Sequence, residues 1–237
     1  MSLEFLGAVP SLLVASDFDG TLSELIDDIL AATPLPRSVD ALSRLAGTPG
    51  THVAIVSGRR RSDLVARFPD KRLILIGEHG ADAGGGIHTE SPVLDKARAR
   101  IAELGAEVRG SVVEQKNHSV VFHYRTARDP ESAVEEIRRL ARDSVGVTLL
   151  DGKDVLELTD STTDKGKAIS ALRLSIAAGH VLFIGDDVTD ETVFTSLRPP
   201  DVTVHVGSGP TAAQLSVPDV EAVADLLEAL ATAREAL

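Results

Sequence analysis

Short, uninterrupted apolar runs alternate with helical stretches along most of this chain, and this alternation limits the possible folds more than any other feature. The runs are rich in β-branched residues and cover 12–16, 52–56, 73–76, 181–184 and 202–206. Such runs are typical of parallel strands that are covered by helices on both faces. Helical patterns occupy 37–46, 60–68, 165–177 and 220–233. The chain therefore predicts an α/β fold with a doubly wound, Rossmann-like parallel sheet.

The segment between the third and fourth runs has a different order. Helical periodicity at 94–104 and at 134–140 is followed each time by two strand-like stretches, 111–116 with 119–125 and 147–150 with 155–158. The order αββαββ predicts a small antiparallel sheet backed by two helices, which is a separate α+β unit. Gly-rich 84–86 and polar 159–163 have the composition of linkers. We therefore expect a core domain of residues 1–84 and 160–237, with an inserted domain of residues 85–159.

Composition and charge exclude several classes of protein. The 237 residues include no cysteine, which rules out disulfides and thiolate chemistry. A net charge of −12 and 3% aromatic residues argue against nucleic acid and anionic membranes as partners. No apolar run reaches the ~18 residues of a membrane span, and the first residues lack the basic region of a signal peptide. We expect a cytoplasmic monomer whose partner is a small molecule.

Four polar clusters stand out, and we expect each to follow a strand of the core, where doubly wound sheets bind their ligands. The first is Asp17-Phe18-Asp19-Gly20-Thr21-Leu22. In an extended chain the side chains of Asp17 and Asp19 point to the same side and can face one ligand. Their carboxylates repel each other unless a cation or a shared proton intervenes. An ordinary Asp-Gly turn at a strand end is the alternative.

The second and third clusters offer groups that bind anions. Ser57-Gly58-Arg59 presents a hydroxyl and backbone N–H groups, although a helix N-cap would explain the same triplet. Asp164-Lys165-Gly166-Lys167 opens a helix, where the macrodipole disfavours a lysine unless an anion binds there too. We favour Lys165 over Lys167 because it precedes the glycine at the turn, and a solvated lysine pair is the alternative.

The fourth cluster, Gly185-Asp186-Asp187-Val188-Thr189-Asp190-Glu191, has three aspartates within five residues. Ligand sets made of oxygen atoms alone favour a hard cation, Mg²⁺ before Ca²⁺. Helix capping by Asp187 or Asp190 is the alternative, and it is compatible with metal binding.

Together, and in this order, the four motifs resemble those of the haloacid dehalogenase (HAD) phosphatase superfamily, over the whole chain. The resemblance implies a HAD core with an inserted α+β cap of the larger type. It implies that Asp17 is the nucleophile, which forms an aspartyl-phosphate, and that Asp19 is the general acid and base. It also implies that Ser57 and Lys165 bind the transferring phosphoryl oxygens.

The same resemblance implies a Mg²⁺ site. Its ligands would be Asp17, the backbone carbonyl of Asp19, and Asp186. Asp187 or Asp190 would hold metal-bound water or orient the lysine of the third motif.

The inserted segment narrows the substrate. Residues 114–125 read Glu-Gln-Lys-Asn-His-Ser-Val-Val-Phe-His-Tyr-Arg, and with Gly77–Ala81 and the Gly-Asp-Asp-x-Thr-Asp-Glu loop they resemble the trehalose-6-phosphate phosphatases. The resemblance implies that Glu114, Lys116 and Glu157 contact the distal glucose and that His79 lies near the junction of core and cap. Gly58 and Arg59 complete the expected substrate-binding set. A solvated sheet face is the alternative for the three cap residues, and the proline that often follows the last cap strand in the family is absent here.

We therefore expect Mg²⁺-dependent hydrolysis of trehalose 6-phosphate to trehalose and phosphate, the last step of trehalose biosynthesis. A phosphatase for another sugar phosphate is an alternative, with sucrose phosphate, mannosyl-phosphoglycerate or a trehalose-like pseudo-disaccharide phosphate as substrate. Two further alternatives are a phosphomutase with the same core and a non-catalytic sugar-phosphate sensor. Closure of the cap, with hinges at 84–86 and 159–163, would exclude water until the sugar is seated.

Overall fold

The computed structural model describes residues 4–26, 31–82, 91–152, 154–160 and 162–236. In chain order its helices are α1 (Glu4–Gly7), α2 (Pro36–Gly47), α3 (Arg61–Arg67), α4 (Pro92–Glu107), α5 (Glu131–Asp143), α6 (Lys165–Ser175), α7 (Glu191–Ser196) and α8 (Val220–Glu235). Its strands are β1 (Leu12–Ser16), β2 (Thr51–Val56), β3 (Ile74–Ile76), β4 (Val112–Gln115), β5 (Ser119–His123), β6 (Thr148–Gly152), β7 (Val155–Thr159), β8 (His180–Gly185), β9 (Val202–Val206) and β10 (Leu215–Val217).

The chain divides into two compact units, Met1–Gly84 with Thr163–Leu237, and Gly85–Thr162. The first unit contains a six-stranded sheet in the order β10-β9-β8-β1-β2-β3, and every pairing in it is parallel. Leu12 of β1 lies opposite Thr51 of β2 and His180 of β8, so these three strands run in register. Their carboxyl ends therefore meet at one edge, as the predicted parallel sheet requires.

Apolar side chains on both faces of β1 explain its uninterrupted run. Leu12 and Val14 pack into one core cluster, which also contains Leu42 of α2 and Leu227 of α8. The side chain of Leu13 points to the other face and packs into a second cluster with residues of α6 and α7. Every residue of β1 is buried. Each such aliphatic side chain contributes about 1.5–3 kcal/mol to folding, so a strand between two helical layers has little room for polar residues.

Arg234 of α8 fastens the amino-terminal end of this sheet. Its side chain is 3% exposed. The guanidinium donates to Thr51 Oγ1 at 2.6 Å and to the backbone carbonyls of Leu6 and Val9 at 2.9 and 3.0 Å. Burial lowers the pKa of this guanidinium. The hydrogen bonds thus hold together α8, β2 and the segment that leads into β1.

The second unit contains an antiparallel sheet in the order β4-β5-β7-β6. Alternate residues of β5, Val120 and Phe122, face the apolar core formed with Ile101 of α4 and Ile137 of α5. The intervening residues point to the opposite face. In that direction Val121 lies between Glu114 of β4 and Glu157 of β7. This is the α+β unit predicted from the αββαββ order.

Several element ends differ from the predictions for local reasons. β5 stops at His123 instead of Arg125, because the backbone N–H of Tyr124 turns to the carbonyl of Asp154. α6 ends at Ser175 and not at Ala177, whose φ of 52° is incompatible with a right-handed helix. Thr159, predicted in a linker, is the last residue of β7. The linker predicted at 84–86 lies outside the described residues. None of the helices in the described part of the chain combines the length and apolar composition of a membrane span.

Candidate active site

The loops that follow β1, β2 and β8 hold three of the four polar clusters. The backbone N–H of Asp17 donates to the carbonyl of Ile184 at 2.9 Å, and that of Ser57 donates to Ile76 at 3.0 Å. The prediction that all four clusters follow core strands is wrong for the third, because Lys165 opens α6 and follows β7 of the other sheet. Its side chain nevertheless reaches the same edge.

Asp17, Asp186 and Asp190 form an acidic cluster at this edge. Each offers one carboxylate oxygen, and these oxygens lie within 4.8 Å of one another. Thr21 Oγ1 donates to Asp186 Oδ1 at 3.2 Å. Gly20, with φ +76°, passes so close to the Asp186 carboxylate that a Cβ there would lie 2.0 Å from its Oδ2. Asp17 is 5% exposed and Asp190 fully buried, so the carboxylates meet in a desolvated space.

The crowding of carboxylates changes their proton affinity. Burial raises the pKa of Asp17 well above its ordinary value, the nearby Lys165 opposes the rise, and the charges of Asp190 and Asp186 add to it. Burial and the charge of Asp190 raise the pKa of Asp186 to about 7. Buried carboxylates at such distances are unfavourable unless a cation balances them. Since the donors are all oxygen atoms, the cluster fits a hard divalent cation.

Lys165 supplies one positive charge to the cluster. Its Nζ lies 3.0 Å from Asp17 Oδ1 and 2.9 Å from Asp190 Oδ1, and the side chain is 2% exposed. Burial by itself lowers the pKa of this lysine, but the two carboxylates outweigh it and raise the pKa. Lys167 is exposed and pairs with Asp164, the N-cap of α6. The structure thus brings Lys165, and not Lys167, to Asp17.

The two oxygens of Asp190 have different partners. Oδ1 contacts Lys165, whereas Oδ2 accepts from the backbone N–H groups of Asp186 and Asp187 at 3.1 and 3.0 Å. Asp190 therefore shapes the loop after β8 and orients the lysine at once. The side chain of Asp187 is exposed, and within the described chain neither Asp187 nor Asp19 joins the three close carboxylates.

Ser57 and Gly58 lie against a strained turn that contains His79. The N–H of His79 donates to the carbonyl of Ser57 at 3.0 Å. Glu78 and His79 both have positive φ, 49° and 55°, a conformation that costs a non-glycine residue of order 1–3 kcal/mol. A Cβ on Gly58 would lie 2.6 Å from the His79 imidazole. Only glycine therefore leaves room for this ring.

The guanidinium of Arg59, a residue expected to bind substrate, pairs with the carboxylate of Asp19. The backbone N–H of Arg59 donates to Ser57 Oγ at 3.2 Å, and its guanidinium makes two hydrogen bonds to the Asp19 carboxylate. Asp17 and Asp19 are two residues apart, yet Asp17 contacts Lys165 and Asp19 contacts Arg59.

In the second unit, charged side chains share the sheet face opposite the helices. Lys116 Nζ lies 3.3 Å from Glu157 Oε2, and both residues are 8% exposed. The imidazole of His123 lies 3.5 Å from Glu114 Oε2. Burial acts to raise the pKa of Glu114, but His123 and Lys116 together lower it. The alternative of a solvated face therefore does not describe Lys116 and Glu157.

Two residues of the site had no predicted role. Thr21 binds Asp186, and its place directly after Gly20 in the first motif was the available signal. Glu191 accepts from Thr211 Oγ1 at 2.7 Å and from the N–H of Ala212 at 2.9 Å, which fixes the loop between β9 and β10 to the loop after β8. Nothing in the local pattern around Thr211 indicates this contact.

Comparison with known proteins gives consistent results. The family model described as trehalose-phosphatase matches residues 15–221. A trehalose-phosphate phosphatase of Mycobacterium marinum is 36% identical over 245 residues, which cover 94% of this chain and 62% of that protein. The chain thus spans about three fifths of the length of that curated relative.

Solved structures also resemble the chain. The C-terminal domain of Candida albicans trehalose-6-phosphate phosphatase superposes with a TM-score of 0.84 over 97% of this chain and 95% of that one, at 24% identity, which shows the common fold. Aspergillus fumigatus trehalose-6-phosphate phosphatase matches at 27% identity, with a TM-score of 0.66 over 97% and 96% of the two chains.

Proposed function

Because the chain belongs to the trehalose-phosphatase family of the HAD superfamily, we propose that it hydrolyses trehalose 6-phosphate to trehalose and phosphate, the last step of trehalose biosynthesis. The observation that carries the proposal is the buried Lys165 between Asp17 and Asp190 at the carboxyl edge of the parallel sheet. A nucleophilic carboxylate and a fixed cation at one place are what phosphoryl transfer through an aspartyl-phosphate requires.

The acidic cluster fits Mg²⁺ as the cation of this reaction. Asp17, Asp186 and the backbone carbonyl of Asp19 would hold it, while Asp190 is engaged in orienting Lys165. When bound, the ion neutralises negative charge that otherwise keeps the Asp17 carboxylate and a phosphate apart.

The side chains divide the chemistry between them. The carboxylate of Asp17 attacks phosphorus as the bond from phosphorus to the sugar oxygen breaks, and Asp19 gives its proton to that oxygen. Water then attacks phosphorus and gives a proton to Asp19, and the bond from Asp17 to phosphorus breaks to release phosphate. Lys165 and Ser57 hold the phosphoryl oxygens, where negative charge accumulates during each transfer.

The second unit supplies sugar recognition in this proposal and acts as the cap. Glu114, Lys116 and Glu157 hydrogen-bond hydroxyls of the distal glucose, and Gly58 and His79 border the substrate. Buried charged groups discriminate strongly between sugars, because a ligand that lacks one hydroxyl leaves its partner unpaired. Lys116 and Glu157 are already ordered by each other, which reduces the entropy cost of binding.

Phosphate release with Mg²⁺ tests the proposal, with trehalose 6-phosphate, sucrose 6-phosphate, glucose 6-phosphate and mannosyl-phosphoglycerate as substrates. We expect strong preference for trehalose 6-phosphate and loss of activity with EDTA. Asp17→Asn should abolish turnover and still fold. Phosphate release from one of the other esters only would refute the assigned sugar contacts. No phosphate release from any ester by the folded protein would refute the proposed phosphatase activity.

A matched pair of lysine variants tests the role of the buried Lys165 between Asp17 and Asp190. Lys165→Met should lower turnover by at least ~10²-fold, because it removes the charge that faces the phosphoryl group. Lys167→Met, two residues away and exposed, should leave turnover unchanged. Equal activities of the two variants would contradict the assigned role of Lys165.

A further inference from the structure

Arg59 and Asp19 form a bidentate ion pair. Arg59 Nε lies 2.7 Å from Asp19 Oδ2, and Nη2 lies 2.6 Å from Oδ1, so both carboxylate oxygens are engaged. The Arg59 side chain is 7% exposed and that of Asp19 32% exposed. A planar guanidinium in this arrangement fixes both the place and the plane of the carboxylate, which a lysine cannot do.

Core contacts hold the Arg59 guanidinium where it is. Its central carbon lies 4.9 Å from the ring centroid of Phe18, which is fully buried and meets the ring of Phe68 edge-on. The carbonyl of Arg59 accepts from the N–H of Glu78 at 2.8 Å. The protein therefore holds Arg59 in place both at its backbone and at its guanidinium.

Asp19 stands apart from the acidic cluster as a result. Asp17 contacts Lys165, whereas Asp19 contacts Arg59 and is not one of the three carboxylates that lie within 4.8 Å of one another in the described chain. We infer that Arg59 is a positioning residue: it holds the Asp19 carboxylate at the place where this carboxylate takes up the proton of the attacking water, and it affects turnover through Asp19 instead of by binding the substrate. The inference rests on the proposed phosphatase function.

The inference separates two roles that mutation of Arg59 alone would not distinguish. A guanidinium that grips substrate contributes to binding whether or not Asp19 can transfer a proton. A guanidinium that only places Asp19 contributes nothing once Asp19 has lost its carboxylate. The two roles therefore differ in whether the effects of Arg59 and Asp19 variants combine.

A double-mutant cycle measures this difference. Phosphate release from trehalose 6-phosphate with Mg²⁺ is compared for the wild type, Arg59→Met, Asp19→Asn and the double variant. We expect Arg59→Met to lower kcat by ~10²-fold, within the range of general acid–base contributions, and to change KM by less than about threefold. The double variant should match Asp19→Asn within about twofold. A double variant slower than Asp19→Asn by the full factor of Arg59→Met would overturn the inference.

Arg67→Met is the matched control. Arg67 stacks on the same Phe18 ring, 5.8 Å from its centroid, and donates to the backbone carbonyls of Ala32 and Asp63. If loss of a stacked arginine merely disturbs Phe18, Arg67→Met should reduce kcat as strongly as Arg59→Met, and that result would also overturn the inference. We expect kcat of Arg67→Met near that of the wild type.

Urea unfolding of the same four cycle proteins tests the pair without turnover. The midpoint changes of Arg59→Met and Asp19→Asn should be non-additive, and additive midpoints would contradict the pairing. If the wild type hydrolyses the ester but the effects of Arg59→Met and Asp19→Asn on kcat multiply in the double variant, the positioning role of Arg59 is refuted and the proposed function is not. A folded wild type that hydrolyses no ester refutes the proposed function, and the role of Arg59 with it.

Discussion

Asp186→Asn should stabilise the metal-free protein and remove its response to Mg²⁺. In the folded chain Asp186 lies beside Asp190 and Asp17, and burial with the charge of Asp190 raises its pKa to about 7. An asparagine at this position carries no charge, yet its side-chain oxygen still accepts the hydrogen bond from Thr21. A carboxylate that we propose as a metal ligand is thus expected to destabilise the fold whenever the metal is absent.

The sign and size follow from the pKa of Asp186. Its pKa is raised on folding, from 3.8 to about 7, so the folded chain binds more protons than the unfolded chain between these values. Stability therefore falls as pH rises through this window and stays low above it. The full difference corresponds to about 4 kcal/mol, since one pKa unit is about 1.4 kcal/mol. Burying an amide with one partner offsets part of the gain, so we expect a net ~2 kcal/mol near pH 8.

Urea unfolding followed by circular dichroism measures the effect, with EDTA or with excess Mg²⁺, near pH 5 and near pH 8. In EDTA the wild type should be less stable near pH 8 than near pH 5, and Asp186→Asn should depend less on pH. Mg²⁺ should stabilise the wild type mainly near pH 8, because carboxylate ligands must be deprotonated to bind it. The variant should show little change with Mg²⁺.

Asp201→Asn is the control for a buried aspartate outside the cluster. Asp201 is 3% exposed, pairs with Arg173 at 2.7 Å and accepts from the N–H of Val181. Its amide variant should lose stability and keep the response to Mg²⁺. The reasoning is refuted if Asp186→Asn unfolds at lower urea than the wild type in EDTA near pH 8, or if Mg²⁺ stabilises both equally.

Three further substitutions test other parts of the molecule. Gly58→Ala should lower phosphate release by at least about tenfold, because its Cβ would meet the imidazole of His79 at 2.6 Å; steady-state kinetics on folded protein checks this. Arg234→Met should lower the urea-unfolding free energy by ~3 kcal/mol, since three buried oxygen acceptors lose a charged donor, with turnover per folded molecule unchanged. Glu157→Gln should raise KM for trehalose 6-phosphate about tenfold and leave release from 4-nitrophenyl phosphate unchanged, as expected if it contacts only the sugar.

The core sheet and the edge that carries the site were predictable from the sequence, because local features encode them. Three of the five apolar runs are followed at once by a polar motif, at Asp17, Ser57 and Gly185, and strand direction then brings these motifs to one edge. The strand β10 was not predictable, since Leu215–Val217 has three residues, two of them exposed, and no apolar run. The six-residue α7 is likewise too short for a helical period to show.

Side-chain partners could be predicted only in part. A lysine at the start of a helix is unusual enough to suggest a ligand, and Lys165 does reach Asp17. The pairing of Arg59 with Asp19 joins residues forty positions apart through the packing of Phe18, and no spacing in the sequence reports such a contact. The roles of these residues in catalysis stay predictions until the variants are measured.

The central place of β1 has a consequence for synthesis of the chain. β1 pairs with β2 on one side and with β8 on the other, but β8 is translated only after the whole of the second unit. The second unit is continuous and has its own core, so it can fold as soon as it leaves the ribosome. During that interval one edge of β1, whose residues are all buried in the folded protein, has no paired strand. We therefore expect a chaperone, or an aggregating copy of the chain, to compete with β8 for this edge of β1 during synthesis.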